Sequence, residues 1–283
     1  MPTTAEKRAA FRQLHASGCF VIPNPWDIGT TRYLQRLGFK ALATTSAGFA
    51  WSRGFADGAV TCNVMIDHIA ELSTAADVPM NADFEGGYAH EPAGIAESVR
   101  LCVATGVSGL SIEDYTGDMA KPLYDFDIAV ARMRAARAAI DKAGGDVLLT
   151  GRSEGFIRNR ADMAETIRRL RAYADAGADC LYAPGIKTRE EIAAVVKGVA
   201  PKPVNFLMGF ASDLTVRDLA ELGVRRISVG GALARARPGA ASCAWPKRSP
   251  APAASRALPT RHRAPTSSRD CGAERRCSNG VRP

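Results

Sequence analysis

The sequence predicts an α/β chain folded as a (β/α)8 TIM-type barrel, and three observations carry that expectation. A helix-ending glycine followed by a short strand recurs at Gly38, Gly106, Gly177 and Gly223, where glycine takes the left-handed conformation without a Cβ penalty. Eight short apolar runs alternate with amphipathic stretches across residues 1–236, the pattern of a parallel sheet covered by helices. The first run lacks a Gly-x-Gly-x-x-Gly phosphate turn, which leaves a doubly wound sheet as the weaker choice.

The first strand is expected in Cys19–Pro23 and the second in Lys40–Thr44. The third lies in Val78–Ala82, where Pro79 is tolerated because the first strand residue need not donate to the ladder. The fourth, fifth and sixth fall in Val107–Ile112, Asp146–Thr150 and Ala178–Tyr182; the seventh and eighth in Lys202–Leu207 and Val224–Val229. The clearest helix runs from Met163 to Ala176. Met163, Ile167, Leu170 and Tyr173 share its apolar face, with Glu165, Arg168, Arg169 and Asp175 opposite. Glu71, Glu97 and Arg134 mark the solvent faces of other helices. The eighth helix is expected to be cut short: Ala232–Ala236 is all that precedes Pro238, which stops it.

Composition separates a body from a tail. The chain has 283 residues, 46% hydrophobic, enough for a sizeable core. Its seven Cys include no Cys-x-x-Cys pair, and no apolar run approaches the roughly 20 residues that span a bilayer. No secretory apolar segment follows Met1. A thiol-reduced, cytoplasmic protein is expected, without structural zinc or a membrane partner. The net charge is +8, but residues 237–283 hold nine Arg and one Lys against Asp270 and Glu274, so the tail carries all of it. The neutral body has no electrostatic basis for binding a polyanion. Residues 237–283 also hold seven of the 16 Pro and no apolar period, so they are expected to be disordered. Two origins fit the abrupt switch: a frame-shifted reading of the gene, or a genuine basic tail that binds nucleic acid.

In barrels of this kind the chemistry stands at the C-terminal strand ends. Strands three and four end in four carboxylates, Asp83, Glu85, Glu113 and Asp114. Packed like charges are costly unless a cation neutralises them, and an all-oxygen set suits Mg²⁺. Arg152, at the end of strand five, offers a fork suited to a substrate carboxylate. No Lys stands at a strand end, which disfavours a Schiff-base aldolase. Plainer roles exist for each residue. The carboxylates could cap the following helices, and Arg152 could simply pair with Glu154 or Glu113. Ser46 could be an N-cap, and Asp57 could turn a loop with Gly58. His15, His68 and His90 read as surface or helix residues, and Cys19, Cys62, Cys102 and Cys180 as small core side chains. Gly230-Gly231 follows strand eight, where barrels often bind phosphate.

Asp83-Phe84-Glu85-Gly86-Gly87-Tyr88, Ser111-Ile112-Glu113-Asp114 and Gly151-Arg152-Ser153-Glu154, with Ser46-Ala47-Gly48 and Asp57 upstream, resemble the isocitrate lyase/phosphoenolpyruvate mutase superfamily. The likeness runs from about Phe11 to Ala234. It implies a lyase or decarboxylase acting on a small 2-oxo acid or hydroxy-carboxylate through a pyruvate-type enolate, with Mg²⁺ (or Mn²⁺) as cofactor. By that resemblance Asp83, Glu85 and Glu113 hold the metal. Ser46, Ala47, the backbone near Gly48, Arg152 and Asn205 bind substrate, and Asp57 orients substrate or water. The family's lyases place a Cys-bearing loop after strand four, where this chain has Tyr115–Pro122 without Cys or His. Tyr115 or Lys121 could supply the acid there. Some members use a His at the end of strand six, where Tyr182-Ala183-Pro184 stands instead. Both departures speak against isocitrate or methylisocitrate as substrate. The alternatives are phosphonate C–P chemistry and an inactive barrel with a nucleic-acid-binding tail. Intact relatives are expected to form homo-oligomers.

Overall fold

Short polar side chains start most of the helices. Thr3, Asp27, Thr45, Asp162, Thr188 and Thr215 each accept a backbone N–H from the first turn that follows them, satisfying a donor the helix itself leaves free. The computed structural model describes residues 1–236; the basic tail and its two possible origins lie outside the described residues.

In chain order the elements are α1 (Thr4–Ala16), β1 (Phe20–Ile22), α2 (Ile28–Arg36), β2 (Leu42–Ala43), α3 (Ser46–Ser52), α4 (Cys62–Ala75), β3 (Met80–Asp83) and α5 (Pro92–Ala104). Then follow β4 (Gly109–Glu113), α6 (Phe126–Lys142), β5 (Leu148–Arg152), a 3-10 turn (Gly155–Arg158), α7 (Met163–Asp175) and β6 (Cys180–Tyr182). The chain continues with α8 (Arg189–Val199), β7 (Val204–Leu207), α9 (Val216–Glu221), β8 (Arg226–Ser228) and α10 (Ala232–Arg235). The eight strands are parallel, in the order β1-β8-β7-β6-β5-β4-β3-β2. At the seam the Ala43 amide donates to the Pro23 carbonyl at 3.1 Å. This is the expected (β/α)8 barrel, nearly closed.

The apolar faces of α4–α8 pack on the outside of the strands. Ile69, Ile95, Val99, Met133, Ile140, Leu170 and Ile192 are all essentially without solvent contact there. The helix α1, which the strand pattern did not anticipate, adds a second small cluster: Phe11 packs with Ile22, Ala41, Ala43 and Leu148. Gly109 makes room for it, since a Cβ there would stand 2.6 Å from the Phe11 ring. Within the described residues α10 rests on α3, with Ala234 against Gly48.

One charged residue faces opposite to expectation. Arg169 of α7 is buried rather than solvent-facing, because it reaches the carboxylate of Asp114 at 3.2 Å. His68, a helix residue as expected, is buried on α4, its ring stacked on Phe49 with centroids 3.7 Å apart and planes nearly parallel. Burial holds its pKa down at about 4, so the native protein keeps the ring neutral. As pH falls from 6.5 towards 4 the unfolded chain takes up a proton that the folded chain refuses, and stability is lost. The expected loss is about 3 kcal/mol at the lower end. Urea unfolding of wild type and His68→Gln across that range checks it: the two curves should converge as pH falls, because the variant lacks this contribution.

Candidate active site

The parallel register brings the polar residues of different strands side by side. Glu113 pairs with Arg152 across β4 and β5, Arg152 with Tyr182, Tyr182 with Asn205, and Asn205 with Arg226. At the C-terminal end of the strands they line a cavity of about 340 Å³, together with Ser46, Ala47, Asp57, Asp83, Glu85 and Tyr115.

Asp83 and Arg152 organise its centre. The Ser46 amide and hydroxyl both donate to Asp83 Oδ2 at 3.0 Å. The Asp83 amide donates to Thr44 Oγ1 at 2.9 Å. Arg152 donates to Asp83 Oδ1 at 2.7 Å, approaches Glu113 Oε2 at 3.0 Å, and grips Glu154 Oε1 at 2.9 and 3.1 Å. Its guanidinium lies over the Tyr182 ring. Burial works against its charge, but Glu154, Glu113 and Asp83 outweigh that and hold its pKa above the usual arginine range.

Glu85 comes within reach because β3 ends at Asp83 and the chain turns sharply. Glu85 itself takes a left-handed conformation, φ 47°, and its carbonyl accepts the Glu113 amide at 3.0 Å. Gly87 completes the turn at φ 77°, with Ile95 and Ile112 so close that any side chain would collide. The buried Arg132 pins the same loop, donating to the carbonyls of Gly86, Ala89 and His90. Burial and the neighbouring Asp83 push the Glu85 carboxyl up to about 7. Glu113 is raised well above the carboxylate range by burial and Glu154, against the pull of Arg152. Asp57 is raised by burial and Asp83. The lining holds five carboxyl groups (Asp57, Asp83, Glu85, Glu113, Glu154) against the guanidinium groups of Arg152, Arg158 and Arg226, a formal excess of two negative charges.

Asp83, Glu85 and Glu113 share this cavity, but among the described residues they do not close into a ready cation cage, because Arg152 bridges Asp83 to Glu113. The donor chemistry still fits a hard divalent cation: every group is a carboxyl oxygen, and the crowding that raises Glu85 and Glu113 is what one such ion would relieve.

Several placements correct the sequence-based expectations. Asp114 is not part of the carboxylate cluster: it points out of the barrel, accepting from Tyr173 at 2.6 Å, Arg169 at 3.2 Å and the Glu154 amide at 2.8 Å. Gly48 does not line the cavity; it packs against Ala234, while Ser46 and Ala47 do line it. Ser46 is not the N-cap of α3, a task that falls to Thr45. Lys121 faces away, in an ion pair with Asp125 at 2.8 Å. Tyr115 stays at the cavity, in a small hairpin bridged to Leu123, with its hydroxyl 3.3 Å from Met119 Sδ. Asn205 is buried, donating to Ser228 Oγ at 3.0 Å and accepting from Arg226 at 2.7 Å.

Three residues that the sequence did not single out belong to the same surroundings. Asn24 joins the barrel ends, accepting the Val229 and Gly230 amides at 2.9 Å and donating to the Thr44 carbonyl. Arg226 forms the floor, bonded among the described residues only to neutral partners, Asn205, Thr150, Asn81 and His15. Burial and the nearby Arg226 hold the pKa of His15 down at about 3. Arg158 stands at the wall, six residues beyond Arg152.

The phosphoenolpyruvate phosphomutase family matches residues 11–245 of the chain. An uncharacterized protein of Mycobacterium tuberculosis is 34% identical over 223 residues, covering 78% of this chain and 81% of its own. An oxaloacetate decarboxylase of Paraburkholderia xenovorans is 30% identical over 241 residues, covering 82% of this chain and 77% of its own. A crystal structure from Burkholderia cenocepacia, classed no more finely than lyase/mutase, superposes with a TM-score of 0.81 at 49% identity, over 83% of this chain and 86% of its own.

Proposed function

The chain belongs to the isocitrate lyase/phosphoenolpyruvate mutase superfamily, and from that premise we propose that it cleaves a C–C bond in a small 2-oxo acid or hydroxy-carboxylate with the help of Mg²⁺. That it is an enzyme of the carbon–carbon lyase type follows from its relatives. The observation that carries the finer reading is Arg152, fixed among Asp83, Glu113 and Glu154 over a cavity whose carboxyl groups exceed its guanidinium groups by two.

Asp83, Glu85 and Glu113 would hold the cation, some through water. When bound, it supplies Lewis-acid polarisation of the substrate carbonyl. The Ala47 backbone, positioned by the Ser46–Asp83 pair, holds the substrate carboxylate, with Asn205 deeper in the barrel and Asp57 orienting substrate or water. For a 2-oxo acid such as oxaloacetate the bond to the far carboxylate breaks and CO2 leaves. The bond's electron pair becomes the enolate C=C, the carbonyl π pair moves onto oxygen, and the Arg152 fork stabilises that developing charge without reorganising. The enolate carbon then takes a proton, which we assign to the Tyr115 hydroxyl, re-protonated from solvent. Among the described residues no helix is long and apolar enough to cross a membrane. The free Cys19, Cys62, Cys102 and Cys180 accord with a reducing, cytoplasmic setting.

Oxaloacetate and small hydroxy di- and tricarboxylates, incubated with the protein and Mg²⁺, test this through release of pyruvate or glyoxylate. Turnover is expected to vanish with EDTA and return with Mg²⁺ or Mn²⁺; an EDTA-insensitive rate contradicts it. The family match and the Gly230-Gly231 pair at the cavity support phosphonate chemistry as a second reading. Release of phosphate from phosphonopyruvate in the same panel would select it.

A further inference from the structure

We propose that Arg158 determines substrate specificity by receiving a second carboxylate, so that the cavity selects dicarboxylates over monocarboxylates; this rests on reading the cavity as a 2-oxo acid site. Arg158 closes the 3-10 turn that follows β5, its amide donating to the Glu154 carbonyl at 3.1 Å. Its guanidinium carbon sits over the Tyr115 ring, 3.6 Å from the centroid. That contact holds the fork without using any of its N–H groups.

The contrast with Arg152 is what matters. Arg152 donates at 2.7–3.1 Å to Asp83 and Glu154 and lies 3.0 Å from Glu113. Arg158 reaches Glu113 Oε1 only at 3.9 Å and Glu154 Oε2 only at 3.6 Å, both beyond hydrogen-bond length. Its Nε and the facing Glu154 Oε2 are buried without a partner among the described residues. A guanidinium carries five N–H donors, and this one is held rigid with them largely unused. The buried Nε–H is costly unless an acceptor arrives, and a carboxylate matches the fork bidentately.

Its position sets the second specificity. Arg152 and Arg158 contact opposite oxygens of the same two carboxylates, Glu113 and Glu154. The two forks therefore stand about one carboxyl group apart, within the reach of a single four-carbon acid. One fork serves the reacting end, and the other receives the far carboxylate.

Malate and lactate differ by that far carboxylate and serve as paired probes. Calorimetric titration in Mg²⁺ should show wild type binding malate at least tenfold more tightly than lactate. Arg158→Gln should remove that preference, weakening malate about tenfold while lactate changes less than twofold, which also shows the variant is folded. Arg158→Lys should keep part of it, having the charge but not the fork. A wild type without preference for malate, or an Arg158→Gln variant whose malate-to-lactate ratio is unchanged, overturns the proposal. The failures are separable. Turnover of oxaloacetate with an unchanged ratio condemns the Arg158 assignment alone, whereas a ratio that collapses in a protein without lyase activity condemns the reaction alone.

Discussion

Replacing Arg152 by alanine should make the stability of the protein depend more strongly on divalent cation. In the wild type one guanidinium bridges Asp83, Glu113 and Glu154, which are partly or wholly buried. Without it the three face one another in a region of low dielectric, and removing one partner of such buried pairs costs about 3–5 kcal/mol. Part of that should be relieved as carboxyl groups take up protons, and part by Mg²⁺, which can occupy the space the guanidinium leaves. Urea unfolding in EDTA and in Mg²⁺ checks this: the gap between the two conditions should be wider for Arg152→Ala than for wild type. Turnover should fall about 10²–10³-fold, the usual effect of losing a donor aimed at a developing oxyanion. Equal stability with and without cation in the variant would mean that the carboxylates do not form one electrostatic unit.

Asp83→Ala should be the more damaging change for activity and the milder one for the fold. Its carboxylate takes both donors of Ser46 and one of Arg152, so its loss frees the substrate-binding turn and the arginine together. The β3 core residues Met80 and Ala82 are untouched, and cooperative unfolding should persist. Turnover should drop by about 10³-fold, with cation affinity lower by on the order of 100-fold. A variant that still releases product at near wild-type rate in Mg²⁺ would remove Asp83 from the site.

The barrel was legible because each helix-ending glycine and each short apolar run reports a local rule. Asp83, Glu85 and Glu113 were legible as strand-end groups. The error over Asp114 was avoidable in principle: adjacent strand residues point to opposite faces, so Glu113 and Asp114 could not both face inward. Arg169 then follows, since an outward, buried Asp114 draws a cation from the helix that covers it. Glu85 was placed by a left-handed turn rather than by strand alternation, which the following Gly86-Gly87 hinted at. Arg158 left no local trace. Its position depends on a short 3-10 turn and on the ring of Tyr115, more than forty residues earlier. The α1 cap was missed because a single large side chain, Phe11, does most of its packing.

The most direct measurement is a titration with Mn²⁺, following the free ion by electron paramagnetic resonance, with and without oxalate as a planar mimic of the pyruvate enolate. A cation held by Asp83, Glu85 and Glu113 beside Arg152 predicts one site per chain that oxalate tightens and that Asp83→Ala weakens by on the order of 100-fold. A wild-type protein that binds no Mn²⁺ under these conditions, or binds it equally well with the Asp83 carboxylate gone, would contradict it.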